Sequence, residues 1–346
     1  MKFLLIDGIS GVPLGKEICQ SLIESGHTAL HFDALRTPPR FAHGLISSLL
    51  KAQQKVSDRD GFLSFPRLDI GQLDSLLQRE KPSHVLVIGF AYKFFAPAAL
   101  AETVKRHGAQ LLLYDTDSCN LYPKRREFIH FIQAELPVYN RIFSFSKVTT
   151  RFFRDTCGLN ASHLPFGALP QPLPQAPGEE TCDALFVGSA DLRRIFLLEH
   201  IRQHLHIRGN RWRRNFPLMS SELQARTDDR PVWGGELLDL LQRARIVLNI
   251  TRTDFYGAET GINLRIFEAL AAGSFLLTDY CPEVVELLQP GLEIETFRSA
   301  EELTDKVRFY RANDTARRRI AEQGHAAFLE RHTWRARIGQ LLKNIE

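Results

Sequence analysis

The sequence predicts an α/β protein made of two Rossmann-like, doubly wound units. Three observations support this fold class. The chain has 346 residues, more than the roughly 100–200 of a usual single domain. In both halves, short apolar runs typical of buried parallel strands alternate with helical patterns. A proline-rich segment separates the halves. We therefore expect an N-terminal unit over residues 1–168, a linker over 169–180 and a C-terminal unit over 181–346.

The first unit opens with an apolar run at residues 3–6, which predicts a buried strand. A glycine-containing loop follows, and Pro13 and Gly26 mark the start and end of the next helix. Residues 35–66 interrupt the alternation and predict an excursion at the edge of the sheet. The other predicted strands are 28–32, 85–88, 111–114, 142–145 and 163–164, and the helices are 70–79, 97–107, 128–134 and 147–156.

The linker is predicted from its prolines, because proline removes a backbone donor and fixes φ. The second unit then repeats the alternation and ends in a helical tail from residue 300, with breaks near Asn313 and His332. The linker prolines are Pro170, Pro172, Pro174 and Pro177. The predicted strands are 184–187, 246–250 and 275–278, and the helices are 192–204, 237–244, 262–272 and 284–288.

Composition excludes several classes of protein. A hydrophobic fraction of 44% excludes a disordered chain, and a net charge of +4 does not demand nucleic acid as a partner. The apolar start ends at Asp7, too early for a signal peptide, and no apolar run reaches the ~20 residues of a membrane helix. Five scattered cysteines indicate reduced thiols. We expect a cytoplasmic protein, for which contact with a membrane surface stays open.

Residues 246–280 carry the strongest chemical signal. Asn249, Thr251 and Arg252 come at the end of a predicted strand, where open α/β sheets bind ligands. Gly261 then precedes the predicted helix. Free amides at the start of a helix attract phosphate, so Gly261, Ile262 and the next residue, Asn263, are candidates to bind a diphosphate.

Two charged side chains of the same helix complete this candidate site. Arg265, like Arg252, can form charge-assisted hydrogen bonds to a diphosphate. Glu268 is followed by small residues, and a carboxylate can accept from both hydroxyls of a ribose. The alternative is that Glu268 is a surface residue of an amphipathic helix.

This segment resembles the nucleotide-binding segment of the spore-maturation, CgeB-like glycosyltransferases. The resemblance covers residues 180–340 well, including 186–189, 247–250, 277–280 and 332–333. It covers the first half only by topology and by residues 114–117. The residues that carry it are Gly261, Asn263, Arg265, Phe267, Glu268, Ala269, Ala271 and Gly273.

The resemblance implies the GT-B fold, with two Rossmann-like domains facing a central cleft. It implies transfer of a sugar, of the hexosyl type, from a nucleoside diphosphate sugar to an acceptor hydroxyl, with no cofactor or metal required. It also implies that Glu268 binds the donor ribose and that Arg265 lies near the diphosphate. The acceptor, whether glycan, lipid-linked glycan, protein or small molecule, stays open, and so does a role in bacterial glycan or glycoconjugate synthesis.

One departure concerns a second glutamate. Related retaining transferases have two glutamates with seven residues between them, but Thr260 stands at the earlier position here. Glu259 is one residue too far from Glu268. On a helix this extra residue would turn its side chain by about 100° from the direction of a side chain at position 260. Whether the sugar's anomeric configuration is retained or inverted therefore stays open.

Residues 206–215 contain four arginines and Trp212 after a strand end. The resemblance makes Gly209 and Trp212 candidates for a base-stacking and phosphate-binding loop, next to Gly188 at the end of the preceding strand. RNA binding through interleaved arginine and aromatic side chains is one alternative. A solvated basic loop is the other.

The first half offers two further candidates. Gly8 and Gly11, in the loop Asp7-Gly8-Ile9-Ser10-Gly11, admit a diphosphate or an acceptor, or simply turn the chain. Asp115 and Asp117 follow a strand, where a carboxylate can take the acceptor's proton as general base. We thus expect Asp115, Asp117 and Arg265 to be catalytic and no metal to be bound, although Asp117 can alternatively cap the next segment.

Two functional alternatives remain open from the sequence. A sugar-nucleotide epimerase on a similar scaffold would interconvert donor isomers without an acceptor. A degenerate transferase would bind a nucleotide sugar or RNA without turnover.

Overall fold

The computed structural model of the chain describes residues 1–9, 11–56, 62–174 and 179–345. Two compact units are present, one of Met1–Pro165 with the terminal segment from Ile338, and one of Phe166–Arg337. These bounds differ from the expected 1–168 and 181–346. Gln242 donates to the carbonyl of Pro172 (2.8 Å), which ties the described part of the expected linker to the second unit. Ser10 and residues 175–178, including Pro177, lie outside the described residues.

The first unit contains a six-stranded parallel sheet in the order β2-β1-β3-β4-β5-β6. Asn344, near the end of the chain, accepts a hydrogen bond from Arg141 of this sheet (2.8 Å). The strands are β1 (Lys2–Asp7), β2 (Thr28–Asp33), β3 (His84–Ile88), β4 (Gln110–Asp115), β5 (Arg141–Ser144) and β6 (Ala161–His163). The helices are α1 (Leu14–Glu24), α2 (His43–Val56), α3 (Ile70–Glu80), α4 (Pro97–Arg106), α5 (Arg125–His130) and α6 (Lys147–Arg151).

The second unit contains a six-stranded parallel sheet in the order β12-β11-β10-β7-β8-β9. The strands are β7 (Cys182–Val187), β8 (Leu205–Arg208), β9 (Thr227–Asp228), β10 (Ala244–Asn249), β11 (Leu276–Asp279) and β12 (Glu295–Phe297). The helices are α7 (Leu192–Glu199), α8 (Ser221–Ala225), α9 (Gly234–Gln242), α10 (Thr253–Gly257), α11 (Leu264–Ala271), α12 (Pro282–Leu287), α13 (Ala300–Ala312), α14 (Asp314–Arg331) and α15 (Trp334–Leu342).

The predicted alternation of strands and helices is confirmed, and so are the breaks in the helical tail. The predicted strands did not include β8, β9 and β12. β8 has only two apolar residues, separated by a histidine, and strands of two or three residues such as β9 and β12 leave no apolar run to detect. Two predicted helices of the first unit end in π turns, at Phe131–Glu135 and Phe152–Thr156. No helix among the described residues has the length and apolar character needed to span a membrane.

The order of the second sheet determines where a ligand can bind. From β7 the chain proceeds outward through β8 and β9, and then returns to place β10 on the other side of β7. The carboxyl ends of β7 and β10 are therefore adjacent at a switch point, and loops leave it in opposite directions. Open parallel sheets bind ligands at such a point.

Candidate functional site

A pocket of about 260 Å³ lies at the carboxyl edge of the second sheet, at this switch point. Its walls come from the segments that follow β7, β8, β9 and β10, and from the first turn of α11. The lining residues are Val187, Gly188, Ser189, Gly209, Asn210, Arg211, Pro231, Val232, Trp233, Arg252 and Arg265. Residues far apart in the sequence therefore share one site.

The lining of this pocket is positively charged. Arg211, Arg252 and Arg265 contribute three guanidinium groups, and none of the described lining residues is acidic. Gly188 and Gly209 line the same pocket with backbone atoms alone. Arginine binds phosphate in a planar, bidentate manner. The pocket is therefore suited to an anionic, phosphate-bearing ligand.

Gly209 brings the ends of β7 and β8 into close contact. Its φ of 153° is one that side chains rarely permit, and a Cβ added there would lie 1.9 Å from the carbonyl oxygen of Gly188. A glycine is therefore required at this position. It remains a prediction that Gly188 and Gly209 contact the ligand.

The base-stacking role expected for Trp212 needs correction. Its side chain is fully buried, and the indole Nε1–H donates to the carbonyl of Gly188 (2.9 Å). Its ring packs edge-on against Phe186. Trp212 therefore packs beneath the surface of the pocket and holds Gly188, one of the lining residues, in place. RNA recognition by this loop also loses its support, because interleaving needs an exposed aromatic ring.

An exposed tryptophan of the pocket escaped the sequence analysis. Trp233 is 44% exposed and lines the pocket just before α9. It lines the same pocket as Arg252, and its large ring can stack on a planar ligand group. The only sequence signal was an aromatic residue before Gly234-Gly235 at a helix start.

A buried arginine forms the base of the site. Arg194 donates from Nε to the carbonyl of Ile250 (2.9 Å) and from Nη1 to that of Ser189 (2.8 Å). It thereby joins the ends of β7 and β10. Burial lowers the pKa of Arg194 to about 10, which still leaves it charged at neutral pH. Its field adds to that of the lining arginines.

Asn249 and Thr251, expected to bind the ligand, make internal hydrogen bonds instead. Asn249 is buried and donates to Thr278 Oγ1 (2.9 Å). Thr251 is also buried, and its N–H and hydroxyl both donate to Asp279. Arg193 Nη1 donates to the same carboxylate (2.6 Å). These residues position the loop that presents Arg252, which corrects their expected direct role.

Helix α11 presents the charged pair predicted from the sequence. Arg265 Nη1 lies 2.7 Å from Glu268 Oε2, one turn along the helix. The two groups form an ion pair, but their geometry is not that of a hydrogen bond. The buried Nη1 of Arg265 accordingly has no hydrogen-bond partner. Arg265 lines the pocket, whereas Glu268, four-fifths buried, is not among the described lining residues. Arg265 therefore contributes to the pocket wall while it is paired with Glu268.

The residues before α11 are mostly packed. The helix begins at Leu264, later than expected, because Asn263 is extended (φ −146°) and forms its N-cap. Gly261 packs against Cys281, and Ile262 is buried. Their predicted contact with a diphosphate stays a prediction. At the position of the missing glutamate, the buried Thr260 donates to Glu283 (2.8 Å), while Glu259 is exposed with a φ of 55°.

In the first unit, the expected role of Asp115 as a general base needs correction. Asp115 is 1% exposed, and it accepts hydrogen bonds from the hydroxyls of Ser118 (2.8 Å) and Ser144 (2.7 Å). Burial raises the pKa of Asp115, against these hydrogen bonds. Its carboxylate thus holds the turn after β4. Asp117 is partly exposed and accepts from Asn120 (2.7 Å), so solvent reaches this member of the pair.

Gly8 and Gly11 follow β1 on either side of Ser10, which lies outside the described residues. Gly8 packs against the ring of Phe94, where a Cβ would lie 2.6 Å away, and Gly11 has a φ of 85°. Asp7 accepts from the N–H of Ile9 (3.0 Å) and from His31 (2.9 Å). The φ of Gly11 is one that favours glycine, and both the turn role and ligand binding by Gly8 and Gly11 stay predictions. Among the described residues, no group of three or more His, Cys, Asp or Glu could hold a metal ion.

Comparison with known proteins connects this geometry to a family model. Residues 193–343 match a family described as glycosyl transferase-like. The matched segment contains α11 and most of the pocket lining. No curated protein matches the chain significantly by sequence.

Solved structures resemble the chain over its full length. A sucrose-phosphate synthase from Thermosynechococcus elongatus has a TM-score of 0.63 at 11% identity, with 100% of this chain and 99% of that one covered. The Anabaena protein HepE, solved with UDP, gives 0.60 at 13%, with 100% and 99% covered. A glycosyltransferase from Rickettsia africae gives 0.59 at 11%, with 99% and 97% covered. The expected GT-B fold is confirmed.

Proposed function

We propose that the protein is a glycosyltransferase that uses a nucleoside diphosphate sugar as donor and transfers the sugar to an acceptor hydroxyl. The observation that carries this proposal is the pocket at the switch point of the second sheet, where the described lining residues include three arginines and no carboxylate. Two comparisons support it. The matched family is glycosyl transferase-like, and HepE, of similar fold, was solved in complex with UDP-glucose.

The parts of a donor match the parts of the pocket. Arg252 and Arg265 would bind the diphosphate, and the ring of Trp233 would stack on the base. Glu268, the ion-pair partner of Arg265, would bind the ribose, because a carboxylate can accept from both of its hydroxyls. In this arrangement the negative charge of the donor faces the guanidinium groups, and its planar base faces the aromatic ring.

The reaction would depend on stabilising the diphosphate as it leaves. Negative charge grows on it in the transition state, and fixed guanidinium groups stabilise that charge without rearranging. The three arginines would therefore supply the positive charge that stabilises the leaving diphosphate. We propose that no metal cation is required. Asp117 is the remaining candidate to take the acceptor's proton, since Asp115 is buried. Membership of the CgeB-like family, a hexosyl donor and a cytoplasmic location are parts of the same proposal.

The direct test is a thermal-stability titration with UDP, GDP, dTDP, CDP and AMP, with and without Mg²⁺. A ligand that binds only the folded state at 100 times its Kd stabilises by about 2.7 kcal/mol. We expect one diphosphate to raise the melting temperature, with little effect of Mg²⁺. If none of the five shifts the melting temperature, the donor site is wrong.

A substitution tests the assignment of Glu268. Glu268→Gln should weaken binding of that diphosphate by about tenfold, because hydrogen bonds to charged groups contribute roughly 1.5–3 kcal/mol. Glu322→Gln, on the exposed side of α14, is the matched control and should leave affinity unchanged. Equal affinities of the two variants would remove Glu268 from the site.

A further inference from the structure

The excursion of the first unit presents an apolar surface to solvent. Phe41 is 99% exposed, and Leu45 and Leu49 of α2 are 67% and 63% exposed. Leu45 and Leu49 are four residues apart, so they lie on one face of the helix. Ile46 and Leu50 beside them are only half-buried, and none of these residues belongs to the core of the unit. We call Phe41, Leu45 and Leu49 the apolar stripe.

The start of α2 is held in place, so the stripe has a defined orientation. The N–H of Arg40 donates to the carbonyl of Arg67 (2.7 Å), and its guanidinium lies 5.1 Å from the centre of the Phe65 ring. The imidazole of His43 stacks on the same ring. Ala42, between them, has a φ of 57°. These contacts fix the turn while the stripe faces solvent.

The segment that carries the stripe is basic, and the acidic residues next to it lie outside that segment. Residues 34–57 contain four basic residues and no Asp or Glu. The side chain of Arg36 is 83% exposed, and Lys51 is exposed. Two basic residues pair with neighbouring acids, but only at 3.5 Å for Arg36–Asp33 and 3.8 Å for Arg40–Asp69, so these exposed pairs are weak.

We propose that α2 and Phe41 bind the surface of an anionic lipid bilayer. A helix with exposed apolar side chains and flanking basic residues lies in the interface plane, with its apolar side among the acyl chains. Basic side chains near the surface are attracted by anionic headgroups. The charge of residues 34–57 favours this occupant over an apolar protein surface, since the latter offers no partner for the basic side chains.

The test is sedimentation of the full chain with vesicles, either of phosphatidylcholine alone or of a two-to-one mixture of phosphatidylcholine and phosphatidylglycerol. We expect binding to the mixed vesicles that weakens as salt is added. The triple variant Phe41→Ser, Leu45→Ser, Leu49→Ser should lower the partition coefficient at least tenfold, about the effect of losing two buried methylenes. Arg36→Gln with Lys51→Gln should lower it about fivefold for each charge.

The matched control is Phe196→Ser, Leu218→Ser, Leu329→Ser, which removes one exposed aromatic and two exposed leucines from the second unit. It should bind mixed vesicles like the parent chain, and circular dichroism should show that both triple variants are folded. Absence of binding to mixed vesicles would overturn the proposal. So would equal losses in the two triple variants, or self-association that the stripe variant alone abolishes, because the stripe would then bind a second copy.

Discussion

The two units have the same kind of sheet, but the carboxyl edges of these sheets carry opposite chemistry. In the second unit, Arg211, Arg252 and Arg265 line a pocket whose described lining contains no carboxylate. In the first unit, the buried Asp115 accepts from the N–H of Ser118 in the turn after β4, and the buried Glu135 accepts from the N–H of Ala91 in the loop after β3. The topology therefore decides where a ligand can bind, and the side chains decide which ligand. Among the described residues, the arginines that line the second edge suit it to an anion.

The same difference is seen in how buried charges are used. Glu135 accepts from the N–H groups of Ala91 (2.8 Å) and Tyr92 (2.7 Å), so it fixes the loop after β3. Arg194 joins two carbonyls of loops at the other edge. In the first unit a buried carboxylate thus forms hydrogen bonds with backbone N–H groups, whereas in the second unit a buried guanidinium forms them with backbone carbonyls. The backbone groups that these side chains occupy, N–H in the first unit and C=O in the second, are no longer available to a ligand.

The largest effect is expected where the second edge is most tightly packed. Gly209→Ala should lower the free energy of unfolding of the second unit by roughly 2–5 kcal/mol, because its Cβ would meet the Gly188 carbonyl and its φ would be strained. Calorimetry measures the loss. Gly235→Ala, whose Cβ would meet no atom within 4 Å, is the control. Equal melting temperatures of the two variants would refute the close packing.

The first edge can be tested through pH. Burial raises the pKa of Glu135 to about 7 from an ordinary 4.5, so between these values the native state holds a proton that the unfolded state has lost. The free energy of unfolding should therefore fall by roughly 3 kcal/mol as pH rises from about 4.5 to about 7. Urea titrations across this range measure the slope.

Glu135→Gln should flatten that slope, because glutamine does not titrate. Glu102→Gln, an exposed position on α4, should keep it. If Glu135→Gln retains the full pH dependence, another group is responsible, and the contrast between the two edges would lose its electrostatic basis.

The charge of the second edge predicts a smaller effect on binding. Arg265→Gln should raise the Kd of the preferred nucleoside diphosphate by about 10–100-fold, because it removes a charged donor that lines the pocket. Calorimetric titration gives the Kd. Arg308→Gln, largely exposed on α13, should bind like the parent chain. An unchanged Kd for Arg265→Gln would mean that the pocket does not hold the diphosphate.

The smallest effect concerns the two tryptophans of the second edge. Trp233→Ala should weaken binding by roughly tenfold through lost stacking, and Trp233→Phe should restore most of it. Trp212→Phe should instead lower the melting temperature, since it removes the hydrogen bond to Gly188. Loss of affinity in Trp212→Phe at unchanged stability would reverse the roles assigned to the two rings.

The sequence by itself determined the fold class, the alternation of elements and the segment around Arg265 and Glu268. These features depend on local periodicity and on short motifs, and the ion pair follows from a spacing of three residues on one helix. The pairing of β7 with β10 was not visible, because no local pattern states which strands are neighbours. The position of the pocket follows from that pairing.

The tertiary structure alone decided which polar and aromatic side chains are accessible. Trp212 and Trp233 look alike in the sequence, yet the carbonyl of Gly188, 24 residues from Trp212, makes the first a buried support. Asp115 is likewise buried by Ser144, 29 residues away. Burial is set by neighbours distant in the chain, so a residue's chemistry can be inferred locally, but its access to a ligand cannot.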